Sequence, residues 1–110
     1  MFLRLSQIYE FAKANFNSRN MNEGEEVLKS GQVITVGCKK TENSDSTKHI
    51  SGLVLQTSAL KLFPHTVEGI INIIIESPII QEMTCSCKAG LFGNCKHIVA
   101  VLLFLERYKY

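Results

Sequence analysis

The sequence lacks the features that would place it in a membrane or outside the cell. Its longest uninterrupted apolar run covers eight residues, Ile98 to Leu105, whereas a membrane-spanning helix needs about 20. The first residues, MFLRLSQIYEFAKANF, carry scattered charges and no small-residue cleavage site, so they do not resemble a secretory signal. These absences predict an intracellular protein with reduced thiols.

The sequence also lacks an excess of one charge. Its 12 basic and 10 acidic residues give a net charge of +2, which is too even to argue for nucleic acid on electrostatics alone. No repeat, low-complexity tract or Pro/Gly/Ser-rich linker divides the 110 residues, so the length suits one domain. A core of this size leaves little margin over chain entropy, so a bound metal ion would add substantially to its stability.

The hydrophobic periodicity changes along the chain from helical to strand-like and back to helical. Apolar residues between Leu5 and Phe16 predict one helix, and a second is expected after Asn22, ending at Gly31. Four strands are predicted in QVITVGC, HISGLVLQTS, VEGIINIII and IIQEMTCSC, with KKTENSDSTK as a polar connector between the first two. A last helix follows Cys95. This order predicts an α+β fold: a small antiparallel β-sheet with N-terminal helices and a C-terminal helix.

Three of the four cysteines and one of the three histidines fall within thirteen residues. Cys85 and Cys87 are too close together for an easy disulfide, and their spacing in an intracellular chain favours metal ligation. Alternate residues of a strand point to one face, so both sulfurs can reach one ion. Residues i and i+2 of a helix lie about 200° apart. Cys95 is therefore expected at or before the helix cap, with His97 in the first turn.

The donor set predicts the metal. Three thiolates, a neutral imidazole and Zn²⁺ sum to a charge of about −1 in a closed tetrahedral site. A helix N-terminus favours that negative charge, and Lys88 and Lys96 beside the ligands should lower the thiol pKa values. The sequence thus predicts one structural zinc ion that joins the fourth strand to the last helix. Its expected ligands are Cys85, Cys87, Cys95 and His97.

Two alternatives compete with a structural zinc site. Cysteine is often a small buried hydrophobe, so the cluster can arise by chance. A catalytic zinc ion would have three protein ligands and an open water position, and Glu82 is the nearby carboxylate that could serve it as a base. Because no nucleophile–base pair or carboxylate pair stands out in the sequence, no catalytic residues and no enzymatic activity are expected.

The order and spacing of the ligands resemble the SWIM-type zinc finger. CSCKAGLFGNCKHIVAVLL has that family's Cys-x-Cys pair, small-residue spacer, Cys-x-His pair and trailing apolar helix. Upstream, GEEVLKSGQVITV is similar to the short helix, glycine and first strand that precede many SWIM modules. We therefore divide the chain into an N-terminal helical segment, residues 1–21, and a SWIM-type zinc-binding domain, residues 22–110, which together form one unit.

The resemblance implies a binding module. SWIM domains occur in transposase-like proteins, helicases, kinase-associated proteins and recombination factors, and are thought to bind DNA or proteins. The expected function is nucleic-acid binding by an accessory module of a mobile-element or recombination protein in the nucleus. The alternative is a protein–protein interaction adaptor that contains the same structural zinc but binds no nucleic acid.

The resemblance also bears on the parent protein. In animal genomes, stretches similar to this one, including some like GLVLQTSALKLFPH, lie beside phage-type (YqaJ-like) exonuclease domains. The present sequence stops at Tyr110 without a nuclease half. It is therefore expected to be either an excised module or a gene product that has lost its partner domain.

Several further residues have weaker patterns. Cys38 is expected to be a half-buried strand residue rather than a fifth ligand or a redox thiol. His49 and His65 each stand alone in the sequence and are expected at a surface or strand end. Phe92 lies in the spacer between the ligand pairs, where it either caps the zinc site or forms an exposed contact.

A nucleic-acid surface would require basic residues from distant parts of the chain to converge. Each phosphate contact would add a salt-dependent increment to the affinity, and the alternative is an ordinary solvated surface. The sequence has no arginine cluster or interleaved aromatic face that would indicate base readout. The candidate contacts are Lys39, Lys40, Lys48, His49, Lys88, Lys96 and Lys109.

Overall fold

The computed structural model describes residues 3–13, 18–41, 44–55, 64–74, 77–87 and 95–108. Their elements are α1 (Leu5–Ala12), α2 (Arg19–Lys29), β1 (Val33–Thr41), β2 (Ser44–Val54), β3 (His65–Ile74), β4 (Ser77–Cys85) and α3 (Lys96–Tyr108). The four strands form one antiparallel sheet in the order β1-β2-β3-β4. The predicted α+β fold is confirmed. None of the described helices has the length and apolarity needed to cross a membrane.

Helix α1 buries one face against the rest of the chain. The backbone N–H of Arg4 donates to the side-chain oxygen of Gln7 at 2.8 Å and closes the first turn. Ile8 and Ala12 are buried, as the 3-4 spacing predicts. Lys13 ends the helix in the left-handed region, at φ 52. Phe16, the last apolar residue of the predicted face, lies outside the described residues.

Helix α2 begins one turn earlier than the sequence predicts. Its N-cap is Ser18 rather than Asn22. The side chain of Asn20 explains the early start, because its oxygen accepts a hydrogen bond from the backbone N–H of Met21 at 3.0 Å. The same side chain donates to the carbonyl of Ala12 at 3.4 Å and so ties α2 to the end of α1. Ser18 is a residue type preferred at an N-cap, but the contact with α1 that favours it over Asn22 is not visible in the local sequence.

The end of α2 agrees with the prediction. Gly31 has φ 72, and its N–H donates to the carbonyl of Leu28 at 3.2 Å. The N–H of Gln32 donates to the carbonyl of Val27 at 3.2 Å. Together these bonds form a Schellman motif, in which glycine occupies the left-handed position without a steric penalty. The chain then turns directly into β1.

The predicted polar connector is wrong, because most of it is strand. β1 continues to Thr41, and Lys39 lies opposite His49 while Lys40 lies opposite Lys48 on β2. Main-chain pairing forms this part of the hairpin without apolar alternation, so the hydrophobic period does not detect it.

The predicted boundary between an N-terminal helical segment, residues 1–21, and a zinc-binding domain, residues 22–110, stays a prediction.

One face of the sheet packs against α3. A Cβ on Gly52 of β2 would lie 3.1 Å from Cγ2 of Val101, so the helix crosses the sheet where a side chain is absent. The buried residues of this sheet face are Val36, Ile50, Val54, Val67, Ile71, Met83 and Cys85. The helix residues predicted to be buried have no exposed surface: Ile98, Val99, Leu102 and Leu103.

Helix α2 packs on α3 as well. Gly24 of α2 lies against α3. A Cβ at this position would be only 2.5 Å from Cγ1 of Val99, so the two helices approach each other closely here. Nearer the end of α3, Arg107 forms an ion pair with Glu25 of α2. Helix α3 is therefore held by both the sheet and α2, and its N-terminus meets the end of β4.

Candidate metal centre

The end of β4 and the start of α3 bring the four predicted ligands together. One donor atom from each of Cys85, Cys87, Cys95 and His97 lies within 4.8 Å of all the others. We call these four residues the metal cluster. Cys87 is half-buried and the other three are buried, so most of the cluster is shielded from water.

Strand β4 supplies the first ligand pair. Cys85 is the last residue of the strand and lies opposite Val67 of β3. The backbone N–H of Cys87 hydrogen-bonds to the sulfur of Cys85. Between the two cysteines, the N–H of Ser86 donates to the carbonyl of Thr66 at 3.0 Å, and the N–H of Thr66 donates to the Ser86 hydroxyl oxygen at 3.0 Å. The ligand-bearing turn is thereby fastened to β3.

Helix α3 supplies the second pair in the geometry that the spacing predicts. Cys95 directly precedes the helix, and its carbonyl accepts the backbone N–H of Val99 at 3.1 Å. Its sulfur accepts a hydrogen bond from the N–H of Ile98, as the side chain of an N-cap residue does. His97 lies in the first turn and is buried.

The donor distances fit zinc. Nδ1 of His97 lies 3.7 Å from the sulfur of Cys85 and 4.0 Å from that of Cys95. Bond lengths of about 2.3 Å to sulfur and 2.0 Å to nitrogen place these atoms about 3.5 Å apart in a tetrahedral site. Three sulfurs and one imidazole form a closed, soft donor set. The cluster is positioned for one zinc ion.

Hydrogen bonding within the cluster prepares it for a cation. The contact with Cys85 lowers the pKa of the Cys95 thiol to about 4, and the hydrogen bonds from His97 and from the N–H of Ile98 act in the same direction. The reciprocal contact with Cys95 raises the pKa of the Cys85 thiol, and burial adds to that rise. Zinc is bound by thiolates, so uptake of the metal would release the protons that the cysteines of the cluster still hold.

Residues 80–106 match the family model of the SWIM zinc finger. The matched segment covers about a quarter of the chain and includes the end of β4, the metal cluster and most of α3. We refer to this matched segment as the SWIM finger. Comparisons with curated proteins and with solved structures found no match. A SWIM finger is a binding module rather than a catalytic domain.

A residue outside the matched segment also contacts the SWIM finger. The rings of His65 and His97 have centroids 4.5 Å apart at an angle of 43°. His65 is at the strand end that the sequence predicts, but it is not an isolated surface residue. Nothing in the local sequence signals this contact, since only the pairing of β3 with β4 brings His65 to the cluster.

A groove of about 480 Å³ opens beside the SWIM finger. Part of its wall is formed by Cys87, Cys95 and His97. Arg19, at the start of α2, hydrogen-bonds to Glu23 at 2.5 Å and lowers the pKa of that carboxyl. The remaining wall is formed by Ala12, Lys13, Arg19, Asn20, Glu23 and Lys96.

Those predicted nucleic-acid contacts whose backbone the structure describes lie in two separate places. Lys96 lines the groove, whereas Lys39, Lys40, Lys48 and His49 lie in two neighbouring cross-strand pairs of the β1–β2 hairpin. The six steps along β2 from Lys48 to Val54 separate that group from the metal end of the sheet by about 20 Å.

The remaining candidates lie away from the cluster or outside the described chain. Cys38 is on β1, at the opposite edge of the sheet from β4, and faces Ile50 across the strand pair. Its predicted position on a strand is confirmed, whereas its predicted half-burial stays a prediction. Lys88, Phe92 and Lys109 lie outside the described residues.

Proposed function

We propose that the chain is a zinc-dependent nucleic-acid-binding module, an accessory domain of a mobile-element or recombination protein that acts in the nucleus. In this proposal the four residues of the metal cluster ligate one structural zinc ion. No residue acts as a catalyst, and the module works by binding alone. The observation that carries the proposal is the groove, in which three cationic side chains from separate elements line one cavity against the SWIM finger.

The charges of the groove favour a phosphate-bearing ligand. Lys13, Arg19 and Lys96 face one carboxylate, Glu23. The side chain of Arg19 is 91% exposed, and an exposed ion pair contributes little stability. Arg19 can therefore exchange its contact with Glu23 for a phosphate oxygen at low cost. Phosphate contacts of this kind provide most of the affinity in sequence-independent binding.

Zinc binding and the groove are linked through Lys96. This residue lies between Cys95 and His97 and is the first residue of α3. Coordination of both neighbours would fix the backbone of Lys96 and the start of the helix. The proposed role of the metal is thus to place a cation, without contacting the nucleic acid itself.

The test is a titration of the zinc-loaded protein with fluorescent single- and double-stranded oligonucleotides between 50 and 200 mM salt. We expect affinity to fall steeply over this range, by up to about 10³-fold if several phosphates are contacted. Lys96→Glu should weaken binding and lower the salt slope by about one unit. Lys29→Glu is the matched control, because Lys29 is an exposed lysine of α2 that does not line this groove.

Two results would count against the proposal. Equal losses in Lys96→Glu and Lys29→Glu would show that net charge, rather than the groove, determines binding. No probe binding by protein that contains one zinc ion per chain would exclude nucleic acid. Salt-tolerant capture of a protein partner in the same preparation would then support the adaptor alternative.

A further inference from the structure

The metal cluster is assembled from two separate pieces of chain. Cys85 and Cys87 are at the end of β4, whereas Cys95 and His97 are at the start of α3. Four donors must adopt one tetrahedral arrangement, so the relative position of the two pieces determines how well they bind zinc. The side chain that contacts both pieces belongs to a third element, β3.

The first contact joins His65 to the turn between Cys85 and Cys87. Nδ1 of His65 lies 3.3 Å from the hydroxyl oxygen of Ser86. That oxygen already accepts the backbone N–H of Thr66 at 3.0 Å. The Ser86 hydroxyl can therefore donate its own hydrogen to Nδ1 of His65, which gives each polar group a partner.

The second contact joins His65 to the ligand on α3. Its ring lies 4.5 Å from the ring of His97, measured between centroids, with 43° between their planes. Nδ1 of His97 faces the sulfurs of Cys85 and Cys95. A ring packed on His97 limits rotation of the imidazole and holds this nitrogen toward the metal position.

We propose that His65 is a positioning residue of the zinc centre, which aligns the two ligand pairs by contacting Ser86 on one side and His97 on the other. It does not ligate the metal, since it is not part of the group of donors that lie within 4.8 Å of one another. The inference rests on the proposed role of the metal cluster as the zinc ligands. It adds a determinant of zinc affinity outside the matched SWIM segment.

The test is a comparison of zinc affinity by chelator competition in the wild-type chain, His65→Ala and His49→Ala. Loss of a residue that orients a metal ligand weakens affinity by about 10- to 100-fold. We expect this loss for His65→Ala with one metal ion still bound per chain, and no loss for His49→Ala, which removes a histidine from β2. His65→Phe keeps a ring against His97 and should recover part of the affinity.

Cobalt substitution gives a second readout that general destabilisation would not produce. Ligand-field absorption of Co²⁺ reports the geometry of its donors, so the bands of His65→Ala should shift relative to the wild type. If His65→Ala does not fold with zinc present, a comparison of Ser86→Ala with Thr84→Ala tests the proposal instead. Both substitutions remove an exposed hydroxyl near the end of β4, and only the first removes a contact with His65.

The outcomes separate the two proposals. A wild-type chain that binds no zinc contradicts the ligand assignment. A wild-type chain that binds one zinc ion, with equal affinity in His65→Ala and His49→Ala and unchanged cobalt bands, overturns the role of His65 alone. For the serine pair, equal affinity in Ser86→Ala and Thr84→Ala overturns it in the same way.

Discussion

At the scale of single residues, Gly24 determines how closely α2 can approach the helix that carries the second ligand pair. A Cβ at this position would lie 2.5 Å from Cγ1 and 2.9 Å from Cβ of Val99. Val99 is fully buried and follows His97 by two residues. The side chain of Val99 therefore has no space to yield, and the contact lies two residues along α3 from His97.

Gly24→Ala should destabilise the protein by about 1–3 kcal/mol, the usual cost of overpacking a core. The better helix propensity of alanine, worth about 1 kcal/mol, should offset only part of this. Thermal unfolding of the zinc-loaded protein measures the net effect. Gly37→Ala is the control, because a Cβ there meets only a carbonyl oxygen at 3.8 Å. A stability gain in Gly24→Ala would contradict the close helix contact.

Prediction from the sequence succeeded for some single residues of the site and failed for others. Helix geometry alone placed Cys95 at the cap of α3 and His97 in its first turn, because residues i and i+2 inside a helix cannot both bind the same metal ion. His65 could not be found in this way. Its contact depends on strand pairing across about 20 residues, which no local pattern encodes.

At the scale of elements, α3 links the core to the metal centre. Its Leu102 is fully buried, while its first turn supplies His97 to the cluster. The sequence predicted this helix well because nearly every side of it is covered by protein and its residues are accordingly almost all apolar. The start of α2 and the outer β1–β2 hairpin were missed because inter-helix hydrogen bonding and main-chain pairing determine them.

Leu102→Ala should lower the free energy of unfolding by about 2–5 kcal/mol, because a fully buried leucine leaves a cavity. Leu5→Ala makes the same chemical change at a residue that is 38% exposed and should cost far less. Urea unfolding of both zinc-loaded variants gives the comparison. Equal midpoints in the two variants would show that α3 is not part of the core.

At the scale of the whole molecule, two groups of basic residues in the described part of the chain lie at different ends of the sheet. One group lies in the β1–β2 hairpin and the other surrounds the groove beside the SWIM finger. A net charge of +2 conceals this separation, and composition alone therefore could not indicate where a polyanion would bind.

We expect one zinc ion, held by the metal cluster, to join the last strand to the last helix and to stabilise the fold. A structural zinc site of this kind contributes on the order of 10 kcal/mol of apparent binding free energy at neutral pH. A small core cannot readily replace a contribution of that size. Loss of the metal should therefore unfold at least the C-terminal third of the chain.

The most direct test measures metal content and thermal unfolding on the same samples of the wild-type chain and Cys95→Ser. We expect one zinc ion per wild-type chain. We expect substoichiometric zinc and a clearly lower melting temperature in Cys95→Ser, with a similar loss of stability when the wild type is treated with a chelator. Unchanged metal content and unchanged thermal stability in Cys95→Ser would contradict a structural zinc site.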